Sequence, residues 1–173
     1  RDVILRPRGG RAEAPVTPSE PFRIQFDELG TYGTRQTTRP LSIATLVAVR
    51  TRLIVGAIAA PIRPKGTMTK QRIRAILRED SLFGRRKDRS RVSCRSVFRS
   101  AAKLRPGASQ VLLETDEKVT YPAYFDAAFH GVRRSHTPTS SKAPRGAGTP
   151  LCPIHLTEAL LRDHPGSVRR RSG

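Results

Sequence analysis

FRIQFDELGTYGTRQTTRPLSIATLVAVRTRLIVGAIAAPI, residues 22–62, is the stretch on which the fold turns. Three apolar, β-branched runs follow one another in it: FRIQF, then LSIATLVAV, then RLIVGAIAAPI. TYGTRQTTRP and RTR separate them, polar stretches suited to turns or strand ends. Alternation and this punctuation predict an antiparallel meander of three strands. The first run sets Phe22, Ile24 and Phe26 on one face, then brings Asp27 and Glu28 where a buried strand would stay apolar. A carboxylate in a core-forming sheet is costly unless it is paired or holds a metal. Asp27 therefore directs the search to a second acid.

Working outward, VLLETD at 111–116 is another short apolar run ending in acid, and Asp116 is the candidate. Between the two acids, Ile73, Ile76 and Leu77 have helical spacing, in a stretch that Gly84 and the charge run RRKDRSR cut short. Cys94, Val97, Phe98, Ala101 and Ala102 make one face of an amphipathic helix over 92–104, with Arg95, Arg99 and Lys103 opposite and Pro106-Gly107 as the stop. After Asp116, YPAYFDAAFHG reads as a helix framed by Pro122 and Gly131. VRRSHT suits a short edge strand, 137–153 a loop, and IHLTEALLRD a helix stopped by His164-Pro165-Gly166. Residues 1–21 read as a flexible basic arm or linker, 22–163 as the core, and 164–173 as a basic tail. Three antiparallel strands followed by alternating helices and strands predict an α/β mixed sheet with helices on its faces.

The 33 Lys and Arg against 14 Asp and Glu give a net charge of +19. Such an excess favours a polyanionic partner, because each phosphate neutralised releases counterions. A ribosomal-type protein or an arginine-favouring genome accounts for the same number. Cys94 and Cys152 are far apart and belong to no paired-cysteine motif, which argues against zinc or a disulfide framework and fits a reducing cytoplasm. The apolar run at 53–62 is too short to span a bilayer, and no apolar segment follows the basic N-terminus as a signal peptide would require. The chain opens on Arg1, as expected of a piece of something longer.

FDELGTY, two strands with RTR between them, and then ETDEKVTYP together resemble insertion-sequence transposases with a DDE-type, ribonuclease-H-like catalytic core. TSSKAPRGAGTPLCPIHLTEALLRD is similar to a TSSK…R…NPLFPINHT…RD segment of one bacterial branch. The resemblance covers roughly residues 22–171. It implies a ribonuclease-H-like fold, metal-dependent nicking of a DNA strand, and strand transfer by the 3′-hydroxyl so released. It also implies Mg²⁺ or Mn²⁺ as cofactor, DNA as partner with oligomerisation on DNA ends, no membrane, and a bacterial cytoplasmic, nucleoid-associated location. A DNA-recognising region would precede residue 22 in the family, and none is visible here.

Asp27 and Asp116 match the family's first two metal-binding acids. Phosphodiester chemistry of this type uses two ions about 3.5–4 Å apart, and magnesium, which keeps its waters, needs only a few carboxylates. The plain alternative is that each acid ends its strand in a turn. The third position departs from the pattern. Matching LLRD to the family's helix puts His155 where the last acid or an Asn would stand, and Glu158, three residues on, shares its helix face. Histidine is a poor magnesium ligand, so either Glu158 substitutes or the ligand is lost. A polar helix start explains His155 equally simply, and an acid stabilised by the helix dipole explains Glu158. Resemblance and charge place Lys142 and Arg145 near the DNA backbone, beside Arg95, Arg99 and Lys103; solvated positions are the alternative. An inactivated copy and a non-catalytic basic nucleic-acid-binding protein are the competing readings.

Overall fold

The computed structural model describes residues 20–32, 38–104, 107–140, 142–144 and 146–163. Most of the arm, Arg145, the His164-Pro165-Gly166 stop and the basic tail lie outside these. The three expected strands form as β1 (Phe22–Tyr32), β2 (Pro40–Ala48) and β3 (Ile54–Pro61), antiparallel in sequence. Two helices follow, α1 (Lys70–Phe83) and α2 (Ser90–Leu104). Then come β4 (Gln110–Asp116), α3 (Tyr121–Ala128), β5 (Arg133–Thr139) and α4 (Cys152–Asp163). They build a five-stranded mixed sheet of order β3-β2-β1-β4-β5, in which β4 runs parallel to β1 and β5 parallel to β4.

β1 is therefore central and buried on both sides, which is why Ile24, Gln25 and Phe26 are all inaccessible to solvent. Its odd and even residues face different layers. Ile24 and Phe26 enter the main core with Leu46, Val97, Phe98, Leu113, Tyr121 and Phe125. The Phe26 ring lies 4.6 Å from that of Phe98 and meets Tyr121 edge-on at 4.7 Å. α2 and α3 cover this face. A Cβ at Gly56 would come within 3.3 Å of a Val97 methyl, so the absence of a side chain at residue 56 eases the close approach of β3 and α2. On the other face Val47 packs with Leu151 and Ile154, a smaller core that seats α4.

Several boundaries differ from the sequence reading. β1 continues past Glu28 to Tyr32, because Leu29 and Thr31 are buried and pair along β2. α1 begins at Lys70, where Thr69 caps it by accepting from the Arg72 amide at 3.2 Å. It runs 14 residues before Gly84 ends it, and it buries none of its side chains. α3 ends at Ala128, before Gly131, and β5 extends through Pro138 to Thr139, tolerable because it is an edge strand. Among the described residues no helix is long and apolar enough to cross a membrane.

Phe26→Ala removes the ring shared by both helices on the main face and should cost about 3–5 kcal/mol. Leu77→Ala, at a side chain 62% exposed on α1, should stay within about 0.5 kcal/mol of wild type. Urea unfolding of the two variants checks the assignment of the core.

Candidate functional site

Asp27 and Asp116 stand one residue beyond the last pair of the β1–β4 register, Phe26 opposite Thr115. Neighbouring strands lie about 4.8 Å apart, so the topology brings the two acids side by side on the α4 face. They line one small cleft of about 40 Å³ with Thr139, Ser140, Thr149 and His155. Asp27 Oδ1 accepts the Glu28 amide at 2.7 Å, and Asp116 Oδ1 accepts the Lys118 amide at 3.1 Å. Thr139 arrives as the register partner of Asp116 at the end of β5.

His155 reaches the cleft through Gln25, a residue to which the sequence drew no attention. Gln25 is 0% exposed and uses its whole amide. Its Nε2 donates to Glu114 Oε2 at 2.7 Å and to the Pro150 carbonyl at 2.5 Å, while its Oε1 accepts the Ile154 amide at 3.0 Å. That amide is one of the donors a helix leaves unpaired in its first turn. Glu114 is held in turn by Arg23 at 2.5 Å. The clamp fixes the start of α4, and with it His155, against the strand that carries Asp27. A polar residue inside a strand run is the one signal that pointed to it.

Glu158 is 5% exposed, its Oε2 is 3.9 Å from Arg162 Nη2, and it is not among the cleft-lining residues. Asp27, Asp116 and His155 all line the cleft. Lys142 is exposed on the loop that supplies Ser140, Ala143 and Pro144 to the cleft. Arg95, Arg99 and Lys103 are exposed on α2, on the opposite side of the sheet. Among the described residues no group of three or more His, Cys, Asp or Glu side chains is arranged so as to hold a metal ion by itself.

Glu28 points to the α2–α3 face, as strand alternation requires. There it is bonded to Lys118, to the Tyr121 hydroxyl at 3.0 Å and to Ser42 Oγ at 3.1 Å. Burial alone would raise its pKa, but Lys118 and the two hydroxyls together hold the carboxyl below its ordinary value. Burial pushes the neighbouring Cys94 thiol up to about 12, which makes it inert.

These features define a mixed α/β protein with a paired-carboxylate cleft at the ends of parallel strands. No protein-family model, curated protein or solved structure matches the chain.

Gln25→Leu strands the Pro150 carbonyl and the Ile154 amide together, and should cost about 2–4 kcal/mol with faster amide exchange at the start of α4. Glu28 gives a pH dependence of known sign. Its depressed pKa contributes stability that is present in full above the unfolded value near 4.5 and is lost as pH falls through the lower folded value. Denaturation over a pH series should find Glu28→Gln less stable than wild type by the largest margin at pH 7, with the margin shrinking as pH falls below about 4.5.

Proposed function

We propose that the chain is the catalytic core of a DDE-type transposase on a ribonuclease-H-like sheet, nicking DNA with a divalent metal and transferring the resulting 3′-end. The observation that carries the reading is the shared cleft of Asp27 and Asp116 on neighbouring strands β1 and β4. The resemblance requires the first and fourth strands to be neighbours, and here they are. The +19 charge supplies affinity for the substrate.

The donor set fits a hard cation. Magnesium is commonly held by one or two carboxylates, with waters and substrate phosphates filling the other positions. Asp27 and Asp116 are the residues that would hold it, and the ion, when bound, would supply activation of a nucleophile and stabilisation of the leaving oxygen. Asp27 and Asp116 keep their carboxylates oriented through the Glu28 and Lys118 amides. His155 borders the site without being a preferred magnesium ligand. Lys142 is positioned on the cleft loop to meet a phosphate, and Arg145 follows it in sequence.

One observation favours a second reading, a non-catalytic nucleic-acid-binding protein: among the described residues Asp27 and Asp116 are the two carboxylates that line the cleft, and Glu158 does not line it. Nicking of supercoiled plasmid in Mg²⁺ or Mn²⁺ separates the two. Asp27→Asn and Asp116→Asn should each lower nicking by roughly 100-fold or more, the scale of losing a charged group that stabilises a transition state. Mg²⁺ should also raise the wild-type melting temperature and leave both variants unchanged. Loss of nicking in Glu158→Gln with folding intact would give that residue the third role; loss in His155→Ala alone is the outcome its position favours. Wild-type protein with neither nicking nor stabilisation by metal would leave the binding reading.

A further inference from the structure

A second cleft, of about 490 Å³, opens on the α2–α3 face of the sheet, behind the acid cleft. It is built from five separate segments. Lys65 comes from the connection before α1, Asp88 and Arg91 from the start of α2, Lys118 and Thr120 from the turn after β4, and Tyr124 from α3, with Glu28 on β1 just past its pairing with β4. Both carboxylates are engaged within the protein. Glu28 is bonded to Lys118, Tyr121 and Ser42, and Asp88 caps α2 by accepting from Ser90 N at 2.9 Å and Ser90 Oγ at 2.7 Å. Three cations therefore face two committed anions. Thr120 precedes α3 and makes no side-chain cap, so the positive end of that helix adds to the same field.

The cleft continues onto a helix of unusual charge. α2 reads SRVSCRSVFRSAAKL and has no acidic residue. Arg91, Arg95, Arg99 and Lys103 recur every four residues, so each is the like-charged neighbour of the next on the helix surface. All four are exposed, and Arg95 lies over the Tyr124 ring at 5.5 Å, joining the stripe to the cleft. At 1.5 Å rise per residue the stripe is about 18 Å long. Repeated like charge weakens an isolated helix, and a bound polyanion reverses that penalty.

We infer that this cleft is a second phosphate-binding site, in which Lys65, Arg91 and Lys118 hold a phosphodiester of a DNA strand that then follows Arg95, Arg99 and Lys103 along α2. The inference rests on DNA as the partner in the reading above, but on none of the chemistry at Asp27 and Asp116. Its size suits a nucleotide unit better than a bare ion. Glu28 and Lys118 lie one and two residues beyond Asp27 and Asp116, so the two clefts are back to back where the pairing of β1 with β4 ends. The chain then grips DNA on both faces of its sheet.

The test is fluorescence anisotropy with a labelled single-stranded oligonucleotide and a labelled duplex, in EDTA, over a series of salt concentrations. Three double variants each remove two exposed positive charges: Lys65→Gln with Arg91→Gln in the cleft, Arg95→Gln with Arg99→Gln on the stripe, and Arg74→Gln with Arg78→Gln on α1. Cleft and stripe variants should bind about tenfold more weakly at low salt and lower the slope of log K against log salt by about one to two. The α1 variant should keep the wild-type slope. A cleft variant with unchanged slope, or an α1 variant weakened as much as the other two, overturns the inference in favour of diffuse charge. Because no metal is present, absence of nicking leaves this result intact, and nicking by a protein whose cleft variant binds normally refutes the second site alone.

Discussion

The side-chain amide of Gln25 holds the two halves of the acid cleft together. Strand β1 is buried on both sides, so a polar side chain there must satisfy every donor and acceptor or pay the full cost of desolvation. Gln25 does so by reaching across to Glu114 on β4, to the Pro150 carbonyl in the loop and to the Ile154 amide in α4. Three segments distant in sequence, β1, β4 and the entry to α4, are tied at one point. Among the described residues the apolar cluster that seats α4 is Val47, Leu151 and Ile154, a small core beside the aromatic cluster opposite. Orientation on this face is thus set by hydrogen bonds, and on the other by packing.

That division explains how one sheet accommodates so many charges. The aromatic layer of Phe26, Phe98, Tyr121 and Phe125 supplies most of the apolar burial, leaving the strand ends for polar work. At those ends consecutive residues go to opposite faces. Asp27 joins Asp116 in a narrow cleft, while Glu28 meets Lys118 under a wider one. The carboxylate on the main-core side has a cation and two hydroxyls as partners, whereas the pair on the α4 side is oriented by backbone amides. An oriented pair of neighbouring carboxylates is an arrangement suited to a divalent ion, and a carboxylate matched to a lysine is suited to stability.

The charge of the chain is distributed by the same geometry. α2 turns Val97, Phe98 and Ala101 inward and a row of cations outward, with no acid to offset them. α1, by contrast, mixes both signs, and Arg39 lies near its Glu79 at 3.6 Å. Net charge states only that a polyanion is attracted; the row on α2 gives that attraction a direction.

By itself the sequence determined the elements whose signal is local. Period-two alternation bounded by turn residues marked β1, β2 and β3, and apolar residues three and four apart marked α2, because those patterns depend only on which side of one element is buried. It also determined that Asp27 and Glu28 point apart. Only the tertiary structure decided which partners they meet: Lys118 for Glu28, Asp116 and His155 for Asp27. His155 and Glu158 share a helix face in sequence terms, yet the first turn of α4 borders the cleft and the next turn is buried beside Arg162. Gln25 carried no periodic signal at all, since its role is a set of contacts with residues far along the chain. The length of α1 was hidden for the opposite reason, as it buries no residue and so leaves little pattern to find. Local periodicity records burial, and long-range partners are fixed only when the sheet closes around β1.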